Sequence, residues 1–334
     1  MNYQTPDRLL SIVAPCFNEA EGLEAFHTAL TTAVASLPYD VEIIYVDDGS
    51  TDATPQVLAR LRARDARVKT LTFSRNFGHQ AALLAGLDAA RGAAVITLDS
   101  DLQHPPELIP ELVRAWEQGA DIVYTVRRET ADASFGKRLT SRLFYRLLNW
   151  GSGTPIIPGA ADFRLMSRLA VNSFCAMRET HRFNRGLVSW LGFRTAAVPF
   201  DAPARFAGES KYSLTRMLRF AVHGLVSFSV WPLRMATLLG FGMAAFAALY
   251  IVYALYVFFV LRWTVPGWTS TLVTVLLIGG VQLISLGLVG EYVGKIYEEV
   301  KRRPLYVVRE RQGFEGDVGE GGRATAPSAG KHSV

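Results

Sequence analysis

Residues 9–52 read LLSIVAPCFNEAEGLEAFHTALTTAVASLPYDVEIIYVDDGSTD, and the pattern of this segment indicates the fold class. Leu9–Ala14 and Val41–Asp47 are short apolar runs with β-branched residues, which is typical of buried strands. Glu21–Leu37 between them has the apolar spacing of a helix. A strand, a helix and a second strand in this order predict a right-handed βαβ unit with two parallel strands.

The same alternation continues along the next part of the chain. Further strands are predicted at Val68–Phe73, Ala94–Leu98 and Ile122–Val126, and further helices at Thr54–Arg64, Gln80–Arg91 and Pro106–Gln118. This order predicts an α/β domain whose mostly parallel sheet is covered by helices on both faces.

Polar clusters follow four of the predicted strands. They are Pro15–Glu19 (PCFNE), Asp47–Asp52 (DDGSTD), Ser74–Asn76 (SRN) and Asp99–Gln103 (DSDLQ). Ligands of parallel α/β sheets bind beyond the carboxyl ends of the strands. We therefore expect these four loops to form one site, a stronger indication than any of the motifs alone.

Asp99 and Asp101 are the predicted metal ligands of this site. Two carboxylates at this spacing in an extended stretch can approach one hard cation, and Gln103 can add an oxygen or orient a water. Mg²⁺ or Mn²⁺ is usually held by one or two carboxylates together with substrate phosphates. A lone Asp-x-Asp is more often a solvated turn, but its place after a buried strand favours a metal–phosphate site.

Asp47 and Asp48 precede Gly49, which can adopt the positive φ of a tight turn. We expect one of the two acids to stabilise this turn and the other to accept a hydrogen bond from a ribose hydroxyl or a base N–H. No GxGxxG or GxxxxGK[ST] motif follows the first strand, so neither a dinucleotide site nor a P-loop is predicted.

Composition excludes several other classes of protein. The net charge of +5 is too modest for a nucleic-acid-binding stripe, and Cys16 and Cys175 match no zinc or CxxC spacing. The six histidines include no metallohydrolase cluster, and we treat His79, His104, His181 and His223 as non-catalytic.

The C-terminal part of the chain predicts two membrane-spanning helices. The runs Met235–Leu261 and Trp263–Gly290 are uncharged and longer than the ~20 residues that cross a bilayer, and half of all residues are hydrophobic. A pair of buried soluble helices is the alternative. Basic residues flank the two runs, whereas the turn between them holds only Arg262, so the positive-inside rule places both termini in the cytoplasm.

These patterns predict a linear domain organisation. A catalytic domain (1–212) precedes a juxtamembrane amphipathic segment (213–234), a first span (235–261), a short extracytoplasmic turn (262–268), a second span (269–290), a cytoplasmic basic segment (291–311) and a disordered tail (312–334). The helix expected at Ser213–Trp231 lies either in the membrane interface or on the domain core. Met1–Arg8 lacks the features of a signal peptide, so we expect the catalytic domain to stay in the cytoplasm.

Taken together, the motifs resemble those of family-2 glycosyltransferases with a GT-A fold. Within that family they resemble the branch of dolichol-phosphate mannose synthases and bactoprenol glucosyltransferases. The matching stretches are Ala14–Glu19, Val46–Asp52, Ser74–Gly78, Leu98–Pro106, Ala161–Met166, Arg205–Lys211, Ser227–Arg234 and Gly290–Lys295.

The resemblance implies a set of site residues. Pro15, Phe17, Glu19, Asp48 and Asp99 would bind the nucleotide; Asp99, Asp101 and Gln103 would hold Mg²⁺ or Mn²⁺; Arg128, Lys137, Ser141 and Arg205 would bind the acceptor phosphate; and Asp101 and Asp162 would be catalytic. Lys137 stands where some relatives have arginine.

The implied reaction is the inverting transfer of a sugar, glucose from UDP-glucose as a first guess, to a polyprenyl phosphate at the inner membrane. The implied partners are the nucleotide-sugar, the polyprenyl phosphate, membrane lipid and a second copy of the chain. A processive polysaccharide synthase is one alternative, but the Gln-x-x-Arg-Trp segment of such enzymes does not occur here. A catalytically inactive nucleotide-binding scaffold is the other, although both Asp99 and Asp101 are present.

Overall fold

The computed structural model of the chain describes residues 8–127, 160–180, 182–200, 231–260 and 267–314. Within these ranges, residues up to 200 and from 304 onward form an α/β unit, and residues from 231 to 303 form a second, helical unit.

Strands and helices alternate through the first part of the α/β unit. Its elements, in chain order, are β1 (Leu9–Cys16), α1 (Leu23–Val34), β2 (Asp40–Asp47), α2 (Thr54–Arg64), β3 (Val68–Phe73), α3 (His79–Ala89), β4 (Ala94–Thr97), a 3₁₀ turn (Pro106–Leu108), α4 (Ile109–Glu117), β5 (Ile122–Arg127), β6 (Ala160–Ser167), α5 (Arg168–Ala176), α6 (Asn184–Trp190), β7 (Thr195–Phe200) and β8 (Val308–Gln312). The strands predicted for β1 to β5 are confirmed, with bounds that shift by at most two residues.

The strands form one eight-stranded sheet in the order β7-β5-β6-β4-β1-β2-β3-β8. Strands β1 to β4 are mutually parallel, as are β5 and β7, whereas β6 and β8 pair antiparallel with their neighbours. Helices α1, α2 and α4 pack on one face of the sheet, while α3 and α5 cover the other. The predicted α/β fold with a mostly parallel sheet is confirmed.

The first strands are buried because their side chains face helices on both sides. From Leu10 to Cys16 every residue of β1 is buried, and the same holds from Glu42 to Asp47 in β2. Strands covered on both faces are expected to be continuous apolar runs rather than alternating ones. This burial makes the sheet a rigid base for the loops that follow its strands.

The helical unit contains two long helices, α7 (Trp231–Phe259) and α8 (Trp268–Val300). Each includes a stretch long and apolar enough to cross a membrane, Leu233–Tyr253 and Leu277–Val300, and neither stretch is buried inside the protein. The alternative of buried soluble helices is thus not supported. Helix α8 continues to Val300, beyond the predicted end of the second span at 290; glutamate and lysine, as at Glu291 and Lys295, are good helix formers.

Two other boundaries differ from the expectation. Helix α7 begins at Trp231, inside the segment 213–234 assigned to amphipathic helices; residues 213–230 lie outside the described part. The basic segment 291–311 and the start of the tail include β8, and Phe314 is buried, with 4% of its surface exposed. A run such as Val-Arg-Glu-Arg-Gln shows no apolar alternation, so its pairing with β3 could not be predicted.

Candidate active site

The carboxyl ends of β1, β2, β3 and β4 meet at one edge of the sheet because these strands are parallel. All four predicted polar loops therefore start there. The expectation that they converge follows directly from this topology.

Hydrogen bonds tie the loops after β1 and β2 together. Asn18, with φ of 56°, donates its N–H to Ser50 Oγ at 3.0 Å and accepts from Thr51 N–H at 2.9 Å. Glu19 N–H donates to Thr54 Oγ1 at 2.9 Å, and Ala20 N–H donates to Asp52 Oδ2 at 3.2 Å. Much of the NE…DGSTD pattern thus serves to hold two loops in one conformation.

The two acids at the end of β2 have different partners. Asp47 Oδ1 accepts from Ser50 N–H at 2.9 Å. Asp47 is therefore the acid that stabilises the turn, a choice between Asp47 and Asp48 that the sequence did not determine. Asp48 accepts from the N–H groups of Phe77 and Gly78, at 2.6 and 2.9 Å. Asp48 therefore fixes the loop after β3, and a nucleoside contact would have to share oxygens that are already hydrogen-bonded.

Glycine is required in this turn. Gly49 has φ of +72°, and a Cβ there would lie 2.5 Å from the carbonyl carbon of Arg75. The loops after β2 and β3 are therefore packed backbone to backbone.

The Asp-Ser-Asp turn follows β4. Ser100 is buried and donates to the carbonyl oxygen of Pro15 at 2.9 Å, which ties this turn to β1. Gln103 N–H donates to Asp101 Oδ1 at 3.0 Å, across Leu102 with its φ of 58°. The backbone N–H of Gln103 thus orients the Asp101 carboxylate, a role that differs from the one predicted for the Gln103 side-chain oxygen.

Two histidines flank Asp99. His79 Nε2 lies 3.3 Å from Asp99 Oδ1, and His104 Nδ1 lies 3.5 Å from Asp99 Oδ2. The His104 ring contacts Phe163 and Phe200, with centroid distances of 5.7 and 6.1 Å. Burial raises the pKa of Asp99, against the effect of the two nearby imidazoles.

Acidic side chains are concentrated at this edge. Burial, followed by the carboxylates of Asp101, Asp52 and Asp99, raises the pKa of Glu19. Carboxylates so close together repel one another, and a bound cation would relieve the repulsion.

This arrangement fits a divalent cation held partly by substrate. Apart from the 3.3 Å contact with His79 Nε2, Asp99 Oδ1 has no hydrogen-bonding partner among the described residues, so it can serve as a ligand. Within the described ranges, no group of three or more His, Cys, Asp or Glu side chains has the geometry of a complete metal site. Two acids supplemented by phosphate and water oxygens are what Mg²⁺ or Mn²⁺ commonly accepts.

Asp162 is placed on β6, next to β4. Arg164 Nη2 lies 2.5 Å from its Oδ1, and Arg185 Nη2 lies 3.0 Å from its Oδ2. Burial alone would raise the pKa of Asp162, but the Arg164 and Arg185 guanidiniums hold it below the usual value. Asp162 is therefore a paired carboxylate and a weak base.

The remaining predicted residues divide into two groups. Pro15 is buried in β1 and Phe17 is 43% exposed beyond it, next to the other loops of the site. Arg128, Lys137, Ser141 and Arg205, predicted for the acceptor phosphate, lie outside the described residues.

Three residues at this edge were not among the predicted site residues: Arg185, and the two histidines His79 and His104 that were treated as non-catalytic. His104 lies in the same motif as Asp99, and His79 directly follows the SRNFG motif. The sequence could therefore have placed both histidines near the site. Arg185 belongs to α6, an element that was not predicted, and no sequence signal linked it to Asp162.

Comparison with known protein families gives two matches. Residues 11–174 match the family "Glycosyl transferase family 2", and residues 231–296 match the family "GtrB C-terminal hairpin". An uncharacterized glycosyltransferase of Synechocystis sp. is 42% identical over 92% of this chain and 96% of its own length. The chain belongs to glycosyl transferase family 2.

Further relatives of this family-2 glycosyltransferase carry more specific names. The bactoprenol glucosyl transferase of Shigella phage SfII is 41% identical over 90% of this chain and 97% of its own length. A prophage bactoprenol glucosyl transferase homolog of Escherichia coli is 39% identical over 90% of this chain and 98% of its own length. The predicted family, enzyme class and GT-A-like fold are thereby confirmed, and the hairpin match coincides with α7 and α8.

Proposed function

We propose that this enzyme transfers a sugar from a nucleotide-sugar to a polyprenyl phosphate. The observation that carries the proposal is the acid pair Asp99 and Asp101, at the end of β4, within a family-2 domain whose chain continues into two apolar helices. Relatives named bactoprenol glucosyl transferases, matched over nearly their whole length, support a polyprenyl phosphate acceptor.

The donor would bind at the edge where the four loops meet. Pro15, Phe17, Glu19 and Asp48 would contact the nucleoside, and the exposed Phe17 ring offers an apolar face to a base. Asp99, Asp101 and Gln103 would hold Mg²⁺ or Mn²⁺, which would act as a Lewis acid on the leaving diphosphate. The names of the relatives make glucose the first sugar to test, with UDP as its carrier.

Transfer would proceed by in-line attack with inversion. An oxygen of the lipid phosphate forms a bond to the anomeric carbon, and the bond from that carbon to the nucleoside diphosphate breaks. A phosphate monoester has a second pKa of about 6, so the nucleophile is already anionic at neutral pH. A strong base is not needed, in keeping with the pairing of Asp162 to Arg164 and Arg185.

The acceptor phosphate would be bound by cationic side chains. Arg128, Lys137 and Arg205 are proposed for this role because guanidinium and ammonium groups form charge-assisted hydrogen bonds with phosphate, and Ser141 would add a neutral hydroxyl donor.

The two apolar helices give the enzyme access to its lipid. A polyprenyl chain stays in the bilayer, so an anchored catalytic domain meets it at a high local concentration. We propose an inner-membrane enzyme that crosses the bilayer twice, with the catalytic domain and both termini in the cytoplasm.

A donor screen tests the proposal. The full-length enzyme in phospholipid nanodiscs is incubated with undecaprenyl phosphate, Mg²⁺ or Mn²⁺ and each of a panel of nucleotide-sugars, and the lipid is examined by mass spectrometry. We expect one donor to add one hexose mass to the lipid and to release its nucleoside diphosphate. Donor binding without a modified lipid for any sugar would instead indicate an inactive scaffold.

A further inference from the structure

The chain returns to the catalytic sheet after α8. Residues 304–314, named here the return segment, contain β8, which pairs antiparallel with β3 from Phe73↔Val308 to Thr70↔Gln312. Strand β3 ends at Phe73, so the return segment joins the sheet at the edge that carries the candidate active site.

Tyr306 fixes the beginning of the return segment. Its ring stacks on Phe73 with a centroid distance of 5.2 Å and an interplanar angle of 11°, and its hydroxyl donates to Asp88 Oδ2 at 2.7 Å. Arg178 holds Asp88 in place with hydrogen bonds of 2.7 and 2.8 Å. The first residue of the loop after β3 is also fixed, because Ser74 N–H donates to the Val307 carbonyl oxygen at 3.0 Å.

The far end of the segment is fixed as well. Phe314 is buried, and the cationic groups of Lys69 and Arg311 lie 5.3 and 4.1 Å from its ring centroid. The segment is thus an integral part of the α/β unit.

Contacts continue from Tyr306 to the site through two aromatic rings. Phe73 packs edge-on against Phe77 at 5.6 Å, and Phe77 N–H donates to Asp48. A change at Tyr306 therefore bears on the loop 74–78, whose Phe77 and Gly78 N–H groups donate to Asp48. Loops without regular structure lose much conformational entropy when they are ordered, so such contacts determine how well the loop is held.

We propose that the return segment positions the loop 74–78 for nucleotide binding and that Tyr306 is the positioning residue. The identity of the ligand rests on the proposed function. The return segment has a second, purely structural role. Strand β8 pairs with β3, which would otherwise be an unpaired edge strand of the sheet. The two roles differ in what they predict for loop 74–78.

Hydrogen exchange of the full-length enzyme in nanodiscs tests the positioning directly. In Tyr306→Ala, which lacks both the stacking and the hydrogen bond, amides of residues 74–78 should exchange about tenfold faster than in the wild type. Tyr306→Phe, which keeps the stacking, should show a smaller increase and decides the question if the alanine variant does not fold. Arg309→Ala changes an exposed side chain of the same strand and is the matched control, with wild-type exchange expected.

Steady-state kinetics tests the functional consequence. Both Tyr306 variants should raise the KM for the nucleotide-sugar several-fold and leave the KM for the lipid phosphate unchanged. Unchanged exchange of residues 74–78 in the variants, with only a lower melting temperature, would overturn the inference in favour of simple edge protection. If the wild type transfers no sugar at all, the proposed function fails, and the exchange experiment still decides the positioning.

Discussion

Asp162 shows how neighbours decide what a carboxylate can do. It lies on a buried strand beside the candidate active site, a position that suggests a general base. Arg164 is itself 3% exposed and depends on Asp162 for charge compensation. The buried pair therefore contributes to the stability of the fold.

Asp162→Asn should lower the free energy of unfolding by roughly 3 kcal/mol, because it leaves the Arg164 guanidinium buried without its counter-charge. Denaturant unfolding of the purified enzyme measures the change. Glu24→Gln, which removes a half-exposed pair with Arg60, is the control and should cost less than about 1 kcal/mol. An equal, small effect for both variants would show that Asp162 does not compensate Arg164.

At the scale of elements, helix α3 depends on close contact with the sheet. Gly86 faces β1 and β2, and a Cβ there would overlap Val13 Cγ1 and lie 3.2 Å from Val46 Cγ2. Helix α3 begins with His79, so its position also determines where that imidazole meets Asp99.

We therefore predict that Gly86→Ala destabilises the enzyme by about 1–3 kcal/mol, although alanine favours helices over glycine. Gly22→Ala is the matched control, since a Cβ at position 22 meets no atom within 4 Å. Thermal unfolding of the two variants gives the comparison. A melting temperature for Gly86→Ala at or above that of the wild type would contradict this packing.

A buried polar network connects elements at the opposite edge of the sheet. Glu42 is 3% exposed and accepts from Ser11 Oγ, from Lys69 Nζ at 2.5 Å and from Arg91 N–H at 2.7 Å. Burial alone would raise the pKa of Glu42, but Lys69, Ser11 and the Arg91 N–H lower it overall.

The sign of the resulting pH dependence follows from this lowered pKa. The ionised Glu42 stabilises the fold above the ordinary glutamate pKa of 4.5, and this stabilisation is lost as the pH falls through the lower folded-state pKa. The difference in unfolding free energy between wild type and Glu42→Gln should thus be largest near neutral pH and shrink below about pH 4.5. Denaturant unfolding over a pH series measures it; a difference independent of pH would contradict the assignment.

The sequence was informative where burial leaves an apolar pattern and uninformative where pairing is long-range. Strands β1 to β5 are apolar because helices cover them, so their positions could be predicted. Strand β6 carries the charged residues Asp162 and Arg164 inside the sheet. Charged residues in a sequence usually indicate a loop, and the pairing of Asp162 with Arg164 that allows their burial could not be predicted. At the site, the convergence of the loops could be predicted from strand order, whereas Arg185 comes from an unpredicted helix.

At the scale of the whole molecule, an α/β enzyme and two apolar helices share one chain. The proposed topology places the turn at residues 262–268 outside the cytoplasm and both termini inside. Thr264→Cys should therefore react with a membrane-impermeant maleimide in intact cells. Ser328→Cys, in the C-terminal tail, is the matched control and should react only after the cells are permeabilised. The reverse pattern would invert the topology.

In the proposed function, the acids at the end of β4 make sugar transfer to the lipid possible. Transfer of radiolabelled sugar into the lipid phase, measured for Asp101→Asn with and without Mg²⁺ or Mn²⁺, tests it most directly. We expect a loss of at least about 10³-fold with normal folding. Glu107→Gln, an exposed acid nearby, should behave like the wild type. Transfer by Asp101→Asn at the wild-type rate, independent of any divalent cation, would contradict the account.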